Sequence, residues 1–157
     1  HMSEDFIERE FANLDSYYPG SKRKRREPAP PEITPKEGWE KRSYKKTLPS
    51  GKEVDMYTLG SLADALGRPI ITIRQWMKEG HLPNSPYRLP SKLDRNGDER
   101  QGRRLYTKPM IDAAVEAFTK AGVLHKKRVE WSLHRQLTRE IDEAWTKIRA
   151  TETEKTD

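Results

Sequence analysis

Residues 21 to 35 divide this chain before any helix or strand is considered. They run Lys22-Arg23-Lys24-Arg25-Arg26 and then place prolines at 28, 30, 31 and 35. Adjacent cations repel one another and resist burial, while each proline removes an amide donor and fixes a backbone angle. Such a stretch cannot build a core, so it predicts an extended basic linker over residues 21 to 41, with the folded unit after it. Its cations suit phosphate contacts, simple solvation or, by pattern alone, a nuclear-localisation signal.

Residues 1 to 20 precede that divide with five acids and one base. Phe6, Ile7, Phe11 and Leu14 sit at near-helical spacing behind Ser3, which can cap a first turn containing Glu4 and Asp5. Residues 3 to 18 therefore read either as a short acidic amphipathic helix that docks on a protein partner or on the chain's own basic surface, or as a frayed tail, since isolated helices of this length are marginal in water. His1-Met2 reads as a cloning remnant rather than a metal ligand.

With 32% hydrophobic and 36% charged residues among 157, the composition allows one small folded domain with polar flanks. Residues 21 to 50 carry ten bases and four acids, residues 51 to 126 thirteen and nine, and residues 127 to 157 seven of each. Positive charge is thus concentrated in the middle of the chain, a pattern that suits a polyanion partner. The chain has no cysteine, which removes disulfide, thiolate-zinc and cysteine-nucleophile chemistry and fits a reducing, cytoplasmic setting. No apolar run approaches the roughly 18 residues of a membrane span, so no membrane partner is expected. His81, His125 and His134 lie in different elements, and no nucleophile-elbow, P-loop or zincin motif occurs, so neither an enzyme nor a metal or other cofactor is expected.

From Arg42 the pattern turns to structure. Tyr44 and Thr47-Leu48, then Val54 and Met56-Tyr57, about Pro49-Ser50-Gly51 predict a β-hairpin over residues 42 to 58. Leu62, Ala63, Ala65 and Leu66 then predict a short helix ending at Gly67, and Ile70, Ile73 and Met77, with Trp76 beside them, a second ending at Gly80. Two short helices about a glycine turn have helix-turn-helix geometry. Residues 86 to 107 predict a long hairpin with a polar tip at Asn96-Gly97, carrying Arg88, Lys92, Arg95, Arg100, Arg103 and Arg104. Thr107 and Pro109 open a further helix with Ile111, Ala114, Val115 and Phe118 inward, and Gly122 closes it. Over residues 126 to 150, Val129, Leu133, Leu137, Ile141, Trp145 and Ile148 form one apolar face of a predicted helix. That face must be buried, in an antiparallel homodimer through Val129, Leu133, Leu137, Ile141 and Trp145 or by docking on its own domain. The end, 151 to 157, reads as a disordered tail.

Met56-Tyr57-Thr58-Leu59-Gly60-Ser61-Leu62-Ala63, then Thr72-Ile73-Arg74, Glu79-Gly80-His81-Leu82-Pro83 and Arg103-Arg104-Leu105-Tyr106, taken together, resemble the winged helix-turn-helix of the MerR superfamily. The tripeptide Arg74-Gln75-Trp76 is closer to phage excisionases than to metal or drug sensors, and no room follows Lys126 for an effector domain. Carried over by position, the resemblance implies a recognition helix bearing Thr72, Arg74, Gln75 and Lys78 and a basic wing. Arginine can address guanine and glutamine adenine in the major groove, while wing cations meet phosphates.

The expectation is an α+β, mostly helical protein: a winged helix-turn-helix over 42 to 124 with an N-terminal β-hairpin, and a C-terminal amphipathic helix over 125 to 150. The expected function is sequence-dependent binding of double-stranded DNA, as a transcriptional regulator of phage or bacterial type. An architectural, excisionase-like or small-terminase-like DNA-marking protein and a protein-interaction adaptor are the rival readings.

Overall fold

The computed structural model describes residues 33–153. The chain divides into two units, His1–Pro31 and Glu32–Asp157, and every described residue belongs to the second. The acidic segment 3 to 18, the basic run 22 to 26 and the last four residues lie outside the described residues.

The unit is α+β, with four α-helices and an antiparallel sheet. Strands β1 (Tyr44–Thr47) and β2 (Glu53–Thr58) form the expected hairpin, pairing Tyr44 with Met56 and Thr47 with Glu53. Helices α1 (Leu59–Leu66) and α2 (Ile70–Lys78) follow without a long loop. The basic excursion then runs through β3 (Tyr87–Arg88), β4 (Lys92–Leu93), β5 (Glu99–Arg100) and β6 (Arg104–Thr107). Its base joins the main sheet, whose order is β1-β2-β6-β3, and its outer part is the separate β4-β5 ribbon. Helix α3 (Lys108–Lys120) springs directly from β6. Thr107 caps it, its Oγ1 accepting from the Met110 amide at 3.4 Å, and Pro109 occupies the first turn, where no amide donor is needed.

Period decides which faces are buried. Leu62 and Leu66 of α1, Ile73 and Trp76 of α2, and Ile111, Ala114 and Phe118 of α3 all point into one core against Met56, Tyr57, Leu105 and Tyr106 of the sheet. Ile70, expected on that apolar face, instead stays exposed at the first turn of α2.

The last helix differs from its expected bounds. Instead of starting near Lys126, the chain makes a short 3-10 turn at Trp131–Leu133, and α4 spans Arg135–Thr153. In the segment before that turn the buried Arg68 side chain donates to the carbonyls of Val123 at 2.9 Å, Leu124 at 2.9 Å and also Lys126. Trp131 then turns inward, edge-on to Trp76 at 5.1 Å, and Leu133 is left 73% exposed. The apolar face expected to mediate a homodimer is largely used within the chain. Val129, Leu137, Ile141 and Trp145 are buried in their own domain, with α4 lying on α3 and the Trp145 indole N–H donating to the Met110 carbonyl at 2.8 Å. Self-association would need another surface.

The segment expected to be linker up to residue 41 is also partly spent on the fold. The Ile33 amide donates to the His125 carbonyl at 2.8 Å and the Lys36 amide to Asp64 at 2.8 Å, while Trp39 is buried edge-on to Tyr57. Gly67, at φ 70°, makes this crossing possible: a Cβ there would lie 2.5 Å from the Ile33 side chain. No helix among the described residues is long and apolar enough to cross a membrane.

Candidate nucleic-acid interface

The turn between α1 and α2 sets the angle at which α2 leaves the core. Gly67 closes α1 in the left-handed region, its amide bonded back to Asp64 at 3.0 Å. Arg68 follows and is 4% exposed, its guanidinium donating to the Leu66 carbonyl at 2.8 Å as well as to residues 123, 124 and 126. It lies 5.4 Å from the ring centres of both Trp76 and Phe118. Burial pushes its pKa down to about 10, and among the described residues no carboxylate answers it; carbonyl oxygens and aromatic faces do. Arg68 thereby ties α2, α3 and the 123–126 segment together.

With Ile73 and Trp76 inward, the opposite face of α2 presents Ile71, Arg74, Gln75 and Lys78 to solvent, and Thr72 is half-buried at its flank. Gln75 is oriented by its neighbour one turn on, Nε2 donating to Glu79 Oε1 at 2.6 Å. Glu79 also meets His81 Nε2 at 3.2 Å, and the His81 ring is stacked on Trp131 at 4.8 Å. His81 is thus packed below α2 between Glu79 and Trp131.

The six basic residues expected on the excursion separate into two groups. Arg88 donates to the Gly102 carbonyl at 3.1 Å, Arg104 donates to the Ser85 carbonyl, and Arg100 Nε donates to Asp94 at 3.0 Å. These three build the hairpin. Asp94 organises its tip, accepting from the amides of Asn96 and Asp98, each at 2.9 Å. The Asp98 amide foremost, with Arg100, holds the Asp94 carboxyl below the usual carboxylate range. Lys92, Arg95 and Arg103 are exposed and pair with no other described side chain. At the base of the ribbon, Gly102 lies against the Leu89 backbone, and a Cβ would fall 1.9 Å from the Leu89 carbonyl oxygen.

Between α2, the first turn of α1 and the base of the excursion lies an open cleft of about 710 Å³. Arg74 and Lys78 line it from α2, Arg103 and Arg104 from the excursion, Asn84 from the connecting loop, and Leu59 and Gly60 from the first turn of α1. Its lining contains four cations and no acid. Thr58, Leu59 and Gly60, at the amino end of α1, border this space. Lys92, Arg95 and Arg100 lie farther out on the ribbon and do not line it. Asn84 and the start of α1 carried no sequence signal of their own, because only folding places them beside α2. Among the described residues no group of three or more histidine or acidic side chains could hold a metal ion.

Comparison of the chain with models of known families, with curated proteins and with solved structures finds no match.

Proposed function

We propose that this protein binds double-stranded DNA in a sequence-dependent manner through a winged helix-turn-helix, in which α1 and α2 are the helical pair, α2 enters the major groove and the β3–β6 excursion is the wing. One observation carries the reading: Arg74 and Lys78 of α2 converge with Arg103 and Arg104 of the wing on a single acid-free cleft. A convergent positive surface of this kind attracts a polyanion, and counterion release makes such binding strong at low salt. The nine residues of α2 span about 13 Å, enough to lie within the groove. The resemblance to MerR-type and excisionase segments supports the same roles.

Within this reading the cations divide their labour. Arg74, exposed on the groove-facing side, addresses a guanine edge, whereas Arg103 and Lys78 neutralise phosphates. Arg88, Arg100 and Arg104 shape the wing and contact the backbone only secondarily.

The test is fluorescence anisotropy on a mixed-sequence duplex and on fragments of the source genome, each across a salt series. Specific binding shows as a fragment held on the order of a thousandfold tighter than the mixed duplex. Arg74→Ala should cost about 1–3 kcal/mol on that fragment and relax its base preference, while Arg103→Ala should weaken all duplexes alike and reduce the salt slope by about one unit. Parental binding in both variants, or no duplex binding by the parent, refutes the proposal.

A further inference from the structure

Ile71 is 75% exposed, the most exposed of the large apolar side chains in the described chain. Its position gives that exposure a direction. Ile71, Arg74, Gln75 and Lys78 follow at intervals of three, one and three residues and share one face of α2, opposite the buried Ile73 and Trp76. Helical side chains tilt toward the amino end, so Ile71 heads this face at the end that meets base edges in helix-turn-helix docking. Around it α2 carries two cations and no acid.

We propose that Ile71 is a specificity-determining residue that packs on the C5-methyl group of a thymine in the major groove, next to the base addressed by Arg74. The inference rests on the duplex-binding reading above. Three features favour it. Thymine is the one base that presents a methyl group in that groove, and an apolar side chain can distinguish it only by packing. The cations one and two turns along provide charge complementarity to the flanking phosphates, so the apolar patch is brought onto DNA rather than onto an apolar protein surface. The Gln75 amide, already donating to Glu79, leaves Ile71 and Arg74 as the unengaged groups on the leading part of the face. The same contact selects DNA over RNA, because uracil lacks the methyl and the A-form major groove is too narrow to admit a helix.

The experiment uses the full chain and a duplex enriched from a random library. Each thymine is replaced in turn by uracil, which keeps base pairing and the O4 acceptor and removes only the methyl. At one position the substitution should weaken binding by about fourfold, the worth of one methyl removed from water. Ile71→Ala should weaken the parent duplex by a similar factor and abolish the uracil penalty at that position, and Ile71→Val should retain part of it. Helicity by circular dichroism verifies that the exposed substitution leaves the fold intact. A uracil penalty below about 1.5-fold at every thymine, or one undiminished in Ile71→Ala, overturns the inference. Equal binding to all duplexes with no enriched sequence also overturns it while leaving duplex binding in place; absence of duplex binding overturns both.

Discussion

Replacing Arg68 should do more damage than replacing any exposed cation, although it lies outside the proposed DNA surface. Arg68→Met keeps an unbranched stem of similar length and removes the guanidinium. The carbonyls of Leu66, Leu124 and Lys126 then lose a side-chain donor, that of Val123 keeps only its bond from the Lys126 amide, and the faces of Trp76 and Phe118 lose a cation. Hydrogen bonds from a charged donor contribute about 1.5–3 kcal/mol each, but not additively, and the variant is relieved of the cost of burying a charge. The Nε–H, which has no partner among the described residues, contributes nothing to the loss. The net effect should be about 4 kcal/mol, within the range for breaking a buried charged network. In a urea titration followed by tryptophan fluorescence, a slope of about 1.5 kcal/mol per molar turns this into a midpoint lowered by about 2.7 M. Arg68→Lys, with three donors and no planar face for the rings, should fall between parent and Arg68→Met. Hydrogen exchange should accelerate first in residues 123 to 126, the stretch the guanidinium ties to α2. A loss below about 1 kcal/mol, the scale of an ordinary surface change, would refute the argument that Arg68 joins the elements.

Two further outcomes follow from the wing and the tyrosines. Gly102→Ala places a methyl against the Leu89 carbonyl, so it should open the β3–β6 base and weaken duplex binding in anisotropy while thermal unfolding shifts only modestly; unchanged binding would show that the wing geometry is not required. Burial raises the Tyr106 phenol to about 12, and burial with the Glu152 hydrogen bond raises Tyr87 further, both from an ordinary value near 10. The folded state thus favours the neutral phenols, a contribution fully present below pH 10 and lost as pH rises above it. Near-ultraviolet phenolate absorbance should rise in two stages, the second coinciding with loss of the helical circular dichroism signal; a single stage near pH 10 in the folded protein would contradict the burial.

Much of this architecture is local and was readable as such. The hairpin about Pro49-Ser50-Gly51, the α1–Gly67–α2 pair, the Thr107 cap and the Asn96-Gly97 tip depend on turn chemistry and period within a few residues. The candidate residues of α2, Thr72, Arg74, Gln75 and Lys78, came from the resemblance rather than from period; the structure leaves Arg74, Gln75 and Lys78 exposed and Thr72 half-buried. Among the wing residues, sequence could count cations but could not tell Arg103, which is free to meet a ligand, from Arg88, Arg100 and Arg104, whose partners are backbone carbonyls or Asp94 brought close by the hairpin.

What remained hidden depends on contacts between distant parts of the chain. A periodic apolar face from Val129 to Ile148 states that something must cover it; only the packing of α4 on α3 identifies the cover as the chain itself. Helical period likewise favoured an uninterrupted helix from Lys126, whereas the chain turns at Trp131–Leu133, sets the Trp131 ring against Trp76 and begins α4 only at Arg135. The sequence by itself determined the order of the elements, most of their inward positions, with Ile70 and Leu133 as exceptions, and the concentration of positive charge. Tertiary structure decided which cations converge on one cleft, which are consumed in holding the excursion, and where the last helix begins, because each of these depends on groups that only the folded backbone brings together.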